Sequence, residues 1–264
     1  MTLTDQSTQV RPGEELDAAV IDPYFKANIP GLHGLPSISQ FPGGASNLTY
    51  LVSYPGRDFV LRRPPFGQKA KSAHDMGREF RILNQLNSGF PYCPKAYAHC
   101  TDTGLIGGEF YVMERVKGII LRSDIPAELN LDASRTEALC KSFIDRLVEL
   151  HQVDYTACGL ADLGKPEGYV QRQIEGWTSR YEKALTPDAP RWETVTAWLH
   201  EKMPADHPRP SIVHNDYRFD NVILDADNPM RIIGVLDWEM ATLGDPLMDL
   251  GNCLAYWIEA GDPA

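Results

Sequence analysis

The stretch His214-Asn215-Asp216-Tyr217-Arg218-Phe219-Asp220-Asn221, followed sixteen positions after Asn221 by Asp237-Trp238-Glu239, decides how this chain is read. It has the form H-x-D-x-x-x-x-N, then a strand, a turn, a second strand and a carboxylate. Ser211-Ile212-Val213 leads in as a short apolar run, and Val222-Ile223-Leu224 follows Asn221 as a strand. Asp225-Ala226-Asp227-Asn228-Pro229 is dense in turn formers, and Arg231 to Leu236 (R-I-I-G-V-L) is a second β-branched run, so the pair reads as a hairpin. The hairpin begins after Asn221 and finishes before Asp237. Both side chains can therefore face a single metal cluster, with Asp216 on the loop just before.

Phosphoryl transfer from a nucleotide needs such groups in this order. One carboxylate receives the proton of an attacking hydroxyl, while an amide oxygen and a second carboxylate hold the magnesium ions that bridge the phosphates. The plain alternative is an Asp- and Asn-rich surface loop, which would not require three polar positions and two flanking β-segments to agree. A metal-dependent hydrolase with His214, Asp216 and Asp237 as ligands is a further alternative, disfavoured by the lack of other well-spaced histidines.

Working outward, 264 residues suffice for one large domain or two lobes, and 43% hydrophobic with 23% charged residues is ordinary for a soluble globular protein. No apolar run approaches membrane-spanning length, and the N-terminus (M-T-L-T-D-Q-S-T-Q-V) lacks a basic-then-apolar signal. Five cysteines (Cys93, Cys100, Cys140, Cys158, Cys253) at scattered spacings, with no C-x-x-C pair, indicate neither a disulfide framework nor a zinc site. A reducing cytoplasm is the expected location, with no membrane partner. The net charge of −11 argues against a nucleic-acid partner. It is unevenly spread. Residues 1–149 carry 16 Lys and Arg against 17 Asp and Glu, whereas residues 150–264 carry 9 against 19. That acidic second half would favour a cationic substrate and metal ions, or serve only to keep the protein soluble.

Before the catalytic stretch the chain changes character once. Residues 1 to about 15 are polar. Glu14 to Ala27 reads as a helix, with Leu16, Val20, Ile21 and Phe25 apolar, ended near Asn28-Ile29-Pro30-Gly31. Three strands follow, Ile38–Phe41, Leu48–Ser53 and Phe59–Arg63, with turns at 42–47 and 55–58, giving an antiparallel sheet. His74 to Asn87 reads as a helix with Phe80, Leu83 and Leu86 on its apolar face, and Phe110–Glu114 reads as a strand. The remainder is helical: Ala133–His151 with Asp132 as N-cap and Leu139, Phe143, Leu147 and Leu150 on one face, then Tyr169–Ala184, then a segment around Trp192–Lys202. The boundary between the β-rich and helical parts is expected at Val116 to Gly118.

Several further residues have chemistry at the right places. Gly43-Gly44-Ala45-Ser46-Asn47 joins two strands, and such glycines let backbone N–H groups approach phosphate oxygens, although a two-glycine hairpin loop is also common. Arg62 ends a strand from which a cation can hold the α/β-phosphates, and Glu79 in the next helix can orient it. Arg63 would point to the opposite face. At Met113-Glu114-Arg115-Val116 a strand-edge backbone can meet an adenine edge. Asp245, Asp249 and His214 read as structural, an Asp beside a catalytic loop being able to stiffen it by accepting backbone N–H bonds.

Together these residues resemble the aminoglycoside phosphotransferase and choline kinase superfamily, over nearly the whole chain. F-P-G-G-A-S-N-L-T-Y, F-V-L-R-R-P, the R-E-F helix, Y-V-M-E-R-V-K-G, L-V-E-L-H-Q-V-D, H-N-D-Y-R-F-D-N and D-W-E-M-A-T-L-G-D-P-L-M-D-L occur in that family's order. The nearest likeness is the branch related to kinase-like domains fused to acyl-CoA dehydrogenases, where an Arg likewise stands where protein kinases use Lys. The resemblance implies an α+β, bilobal, protein-kinase-like fold. A small antiparallel sheet with one helix forms a nucleotide-binding lobe (1–116), and a larger, mainly helical lobe (117–264) carries the catalytic hairpin. It implies transfer of the ATP γ-phosphate to a hydroxyl of a small molecule, with ATP and Mg²⁺ as cofactors. Asp216 is then the catalytic base, and Asn221 and Asp237 bind Mg²⁺. Arg62 contacts the phosphates with support from Glu79; Gly43, Gly44, Ser46 and Asn47 cover the triphosphate; Glu114 to Val116 meet the adenine. D-W-E in place of D-F-G implies no flipping activation segment. Relatives usually continue beyond Trp257 with helices that shape the acceptor pocket, so the second lobe is expected to be truncated. The alternatives are a nucleotide-binding protein with weak or no kinase activity, and a hydroxyacyl-CoA kinase in place of an antibiotic kinase.

Overall fold

The computed structural model describes residues 3–42, 47–66, 75–122, 125–257 and 261. In chain order its elements are α1 (Ala18–Asn28), β1 (Ser37–Gln40), β2 (Leu48–Tyr54), β3 (Arg57–Arg63), α2 (Met76–Leu86), β4 (Ala96–Cys100), α3 (Thr103–Ile106), β5 (Phe110–Glu114), α4 (Ala133–His151), α5 (Tyr169–Ala184), α6 (Glu193–Glu201), β6 (Ser211–Val213), β7 (Val222–Leu224), β8 (Ile232–Val235), β9 (Thr242–Gly244) and α7 (Pro246–Leu254). By compactness the chain forms two units, Met1–Arg146 with Arg218–Glu239, and Leu147–Tyr217 with Met240–Ala264.

The first unit is built on a five-stranded antiparallel sheet in the order β1-β2-β3-β5-β4. Alternation along β2 buries Leu48, Tyr50, Val52 and Tyr54, so one sheet face becomes core. Ile21 and Phe25 of α1, both fully buried, join Val52, Phe59, Leu61 and Val112 in a single apolar cluster. At about 1.5–3 kcal/mol for each large apolar side chain removed from water, this cluster is the main stabilising element of the sheet. α2 begins at Asp75, whose carboxylate accepts from the Arg78 amide at 2.8 Å, and it buries Met76, Glu79, Ile82, Leu83 and Leu86. Phe80, expected on the buried face, is half-buried and stacks on His99, while Ile82 takes the core position.

The hairpin β7–β8 belongs to this same unit, for a backbone reason. Ile119 and Leu224 exchange two N–H···O bonds of 2.8 Å, and the Val235 amide donates to the Tyr92 carbonyl at 2.8 Å. Compactness thus groups the hairpin with the sheet, whereas the sequence division at 116/117 groups it with the helical half. The close approach at Ile119 depends on Gly118. A Cβ there would stand 2.3 Å from the Leu224 carbonyl oxygen and 2.4 Å from Ile223 Cγ2. Gly118→Ala is therefore expected to lower stability by about 1–3 kcal/mol, the usual cost of overpacking, read as an earlier urea midpoint at unchanged slope.

The second unit contains α5, α6, the two-stranded pair β6–β9 and α7, with the C-terminal part of α4. α7 starts at Asp245, which caps the Leu247 amide at 2.8 Å, with Pro246 as the first helical residue. Tyr169 opens α5 and packs over β9. A Cβ on Gly244 would meet the Tyr169 ring at 2.7 Å, so this position takes no side chain.

Candidate active site

Of the candidate residues in the first unit, Asn221 and Asp237 lie at one end of the β7–β8 hairpin, and Arg62 and Glu79 are joined to Asp237 there. Asn221 closes a single helical turn, Phe219–Asn221, and its carbonyl accepts from the Leu236 amide at 2.8 Å. Because β7 and β8 run antiparallel with Val222 opposite Val235, Asn221 and Asp237 occupy the same end of the hairpin, as the sequence leads one to expect. Asn221 is 7% exposed. Asp237 leaves the strand in the left-handed region (φ 68°), a conformation that non-glycine residues other than Asn and Asp seldom adopt. Trp238, 1% exposed, anchors the turn by donating from Nε1 to the Val235 carbonyl at 3.0 Å.

Arg62 connects this end of the hairpin to the sheet and to α2. Its Nη2 donates to Asp237 Oδ1 at 3.0 Å, and its Nη1 lies 3.1 Å from Glu79 Oε1. Arg62, Glu79 and the cross-strand Tyr111 are all buried. Burial alone would make the guanidinium easier to deprotonate, but Glu79, Tyr111 and Asp237 hold its pKa well above the ordinary arginine range. Glu79 moves the other way to a usual ion-paired carboxylate. Burial pushes it up and Arg62 opposes this, while Asp237 adds a like charge. Two carboxylates thus share one guanidinium.

Arg63 does turn away: its guanidinium donates to the carbonyls of Pro64 (3.0 Å) and Ile106 (2.6 Å) and lies over the Phe66 ring. Asn47, 1% exposed at the head of β2, donates from Nδ2 to Glu239 Oε2 at 2.9 Å, and Arg78 donates to the Glu239 carbonyl. Glu239 is a participant that the sequence reading did not assign. Gly43, Gly44 and Ser46 lie outside the described residues. Glu114 is exposed at the end of β5 with its amide bonded to the Lys95 carbonyl, and Val116 is half-buried on the segment beyond.

Asp216 belongs to the second unit, on the loop after β6. The loop is organised by Asp249 of α7, which is fully buried. Its carboxylate accepts from the His214 and Asn215 amides, both at 2.8 Å, and pairs with His151 Nε2 at 2.9 Å. Asn215 is held in the left-handed region (φ 63°); its Oδ1 accepts from the Tyr169 hydroxyl at 2.8 Å, and its carbonyl accepts from Asn252 at 2.7 Å. The Asp216 amide points at His214 Nδ1, 3.3 Å away. The stiffening role read for Asp249 and the structural role read for His214 match this arrangement. What the sequence did not reveal was His151 as the partner that completes it.

Burial works to raise the Asp249 pKa, but the bonds from His151 and the loop amides bring it below the usual carboxylate value. A depressed folded-state pKa contributes stability that is present above the unfolded value, about 3.9, and is lost as the pH falls through the folded one. The stability advantage of the parent over Asp249→Asn is therefore expected to be full at neutral pH and to shrink below about pH 4, measured by chemical denaturation at a series of pH values.

In the same unit a cavity of about 400 Å³ opens above Asn215. One stripe of α5 (Tyr169, Gln173, Trp177 and Arg180) forms one wall, and Met240 and Met248 are among the residues opposite. Among the described residues no three His, Cys, Asp or Glu side chains are grouped to hold a metal ion by themselves, and no helix is long and apolar enough to cross a membrane.

A five-stranded antiparallel sheet carrying a buried cation–carboxylate pair, followed by helices and a hairpin bearing Asn and Asp, belongs to the protein-kinase-like fold class. The chain belongs to the phosphotransferase enzyme family, whose model matches residues 37–264. It is similar to mouse acyl-CoA dehydrogenase family member 10 (37% identical over 258 residues, 96% of this chain and 24% of that protein). It is also similar to human acyl-CoA dehydrogenase family member 11 (33% over 255 residues, 94% and 32%). The chain thus spans about a quarter to a third of the length of these relatives. Among solved structures, a protein of Ralstonia eutropha JMP134 provisionally named an aminoglycoside phosphotransferase superposes with a TM-score of 0.79 at 34% identity, over 93% of this chain and 71% of that one. Macrolide 2'-phosphotransferase type I shares the fold (TM-score 0.64, 21% identity, 92% and 77% covered).

Proposed function

We propose that this chain is a kinase that transfers the γ-phosphoryl group of ATP to a hydroxyl of a small molecule. Residues 1–116 act as the nucleotide-binding lobe and 117–264 carry the catalytic loop and the acceptor. The observation that carries this reading is the shared hairpin end of Asn221 and Asp237, joined through Arg62 to Glu79.

The acceptor oxygen forms the new bond to phosphorus as the bond between phosphorus and the ADP leaving oxygen breaks, and the hydroxyl proton passes to the Asp216 carboxylate. Arg62 neutralises charge on the α/β-phosphates, kept in place by Glu79, and Gly43, Gly44, Ser46 and Asn47 cover the triphosphate. The backbone from Glu114 to Val116 receives the adenine. Little covalent chemistry falls to the protein; positioning and charge neutralisation supply the acceleration.

The donors offered by Asn221 and Asp237, one amide oxygen and one carboxylate, suit a hard cation such as Mg²⁺, which is commonly held by one or two carboxylates with phosphates and water completing its shell. Bound there, Mg²⁺ would neutralise the phosphate oxygens. Asp237 Oδ1 is engaged by Arg62, and that contact also favours a second reading, nucleotide binding with little turnover. An ATP-consumption screen over aminoglycosides, amino alcohols and hydroxyacyl thioesters separates the two. Turnover with any acceptor supports the kinase, whereas Mg-ATP binding without turnover on the whole panel supports the second.

A further inference from the structure

We infer that the cavity on α5 is built for a hydroxyl-bearing molecule with an apolar body and an anionic group, not for a polycationic aminosugar. This deepens the kinase reading and rests on it, since it names the acceptor class. The cavity volume of about 400 Å³ falls within the range of about 300–1,000 Å³ typical of small-molecule sites. Its floor includes Asn215, the chain neighbour of Asp216, held by Tyr169 on α5.

The lining decides the chemistry. Among the described residues that line it, none is acidic, and the one charged side chain is Arg180. Arg180 sits three residues after Trp177 on α5, its guanidinium carbon 4.7 Å from the centre of that ring. Its helical neighbours at spacings of three and four are Gly176, Trp177, Lys183 and Ala184, so no carboxylate on α5 is placed to neutralise it. Trp177 is 57% exposed, and with Met240 and Met248 it offers a polarisable apolar surface that a hydrocarbon or planar group can cover. A site for several ammonium groups needs carboxylates at hydrogen-bond distance. The acidic residues of 150–264 supply none of the described side chains that line this cavity, so net charge alone does not name the ligand.

Three chain-matched probes isolate the charge: 8-hydroxyoctanoate, octane-1,8-diol and 8-aminooctan-1-ol, with kanamycin as the polycation. Calorimetric titration of the full chain without nucleotide is expected to rank the hydroxyacid tightest, then the diol, then the amine, with the two ends of the series about tenfold apart. Arg180→Glu is expected to reverse the order of acid and amine. Arg180 is exposed, and an unchanged melting temperature would establish that the variant is folded. Arg180→Gln should merely collapse the difference between acid and amine, which gives a second reading should the reversal variant lose stability. The inference is overturned if the amine or kanamycin binds the parent more tightly than the acid. It is equally overturned if neither Arg180 variant alters the ranking, or if none of the four binds. Phosphate transfer is scored separately. The expected ranking without transfer from ATP would leave the ligand class standing and defeat the kinase assignment.

Discussion

Asp216→Ala is expected to lower phosphoryl transfer by about 10²–10⁴-fold, the contribution usual for a positioned general base, while ATP binding stays within a few-fold of the parent. The cause is local. The loop bearing Asp216 is held by Asp249, which accepts from the amides of His214 and Asn215, and by Asn252, which donates to the Asn215 carbonyl. Removing the carboxylate at 216 therefore leaves those bonds in place, and the loss should appear in kcat with little change in melting temperature. Single-turnover measurement of transfer to an acceptor identified in the screen is the check. Turnover within about threefold of the parent would remove Asp216 from the role of base.

The second large effect concerns stability. Arg62→Met takes away the cation shared by Glu79 and Asp237 and leaves Glu79, 1% exposed, without its paired guanidinium. Breaking a buried pair in this way commonly costs about 3–5 kcal/mol. The sign of the accompanying pH dependence follows from the direction of the Glu79 shift. Its folded pKa already lies above the usual value because of burial, and loss of Arg62 raises it further. The folded state then holds a proton that the unfolded chain gives up, so the variant loses stability as the pH rises from the unfolded carboxylate value toward neutrality. Adding Glu79→Gln should recover much of the loss and flatten that dependence. Equal urea midpoints for Arg62→Met and the parent at neutral pH would mean that the pair contributes nothing to the fold.

Much of this arrangement was legible in the residues. α4 begins and ends where its Asp132 cap and apolar face put it, α5 has the bounds read for it, and β5 coincides with the run Phe110–Glu114. The hairpin was legible because two β-branched runs flank a turn-rich stretch. β4 was not, because A-Y-A-H-C has one aromatic and no β-branched residue, and its pairing with β5 is interrupted between Ala96 and Ala98. β9 is three residues long and ends in glycine, so nothing local marks it; its pairing with β6 does. Arg62 and Glu79 were readable as partners because a cation ends a strand and a carboxylate sits in the next helix, whereas the direct bond from Arg62 to Asp237 crosses 175 positions and leaves no trace in spacing. The same holds for the bond from Asn47 to Glu239, which spans 192. The α5 cavity draws on residues from Tyr169 to Asn252, and only the helical stripe within it has a period to detect.

The backbone at positions 215 and 237 has a practical corollary for saturation libraries. Left-handed geometry costs most L-residues about 1–2 kcal/mol, with Gly, Asn and Asp the tolerant ones. Clones sorted only for expression should therefore be enriched in those three at both codons. Clones sorted for turnover should keep Asp alone at 237, so that sequencing the two pools side by side divides what the chain needs to stand up from what it needs to work. Alanine confounds these demands at 237. Asn satisfies the torsion while removing the charge, which makes it the cleaner allele for any later study.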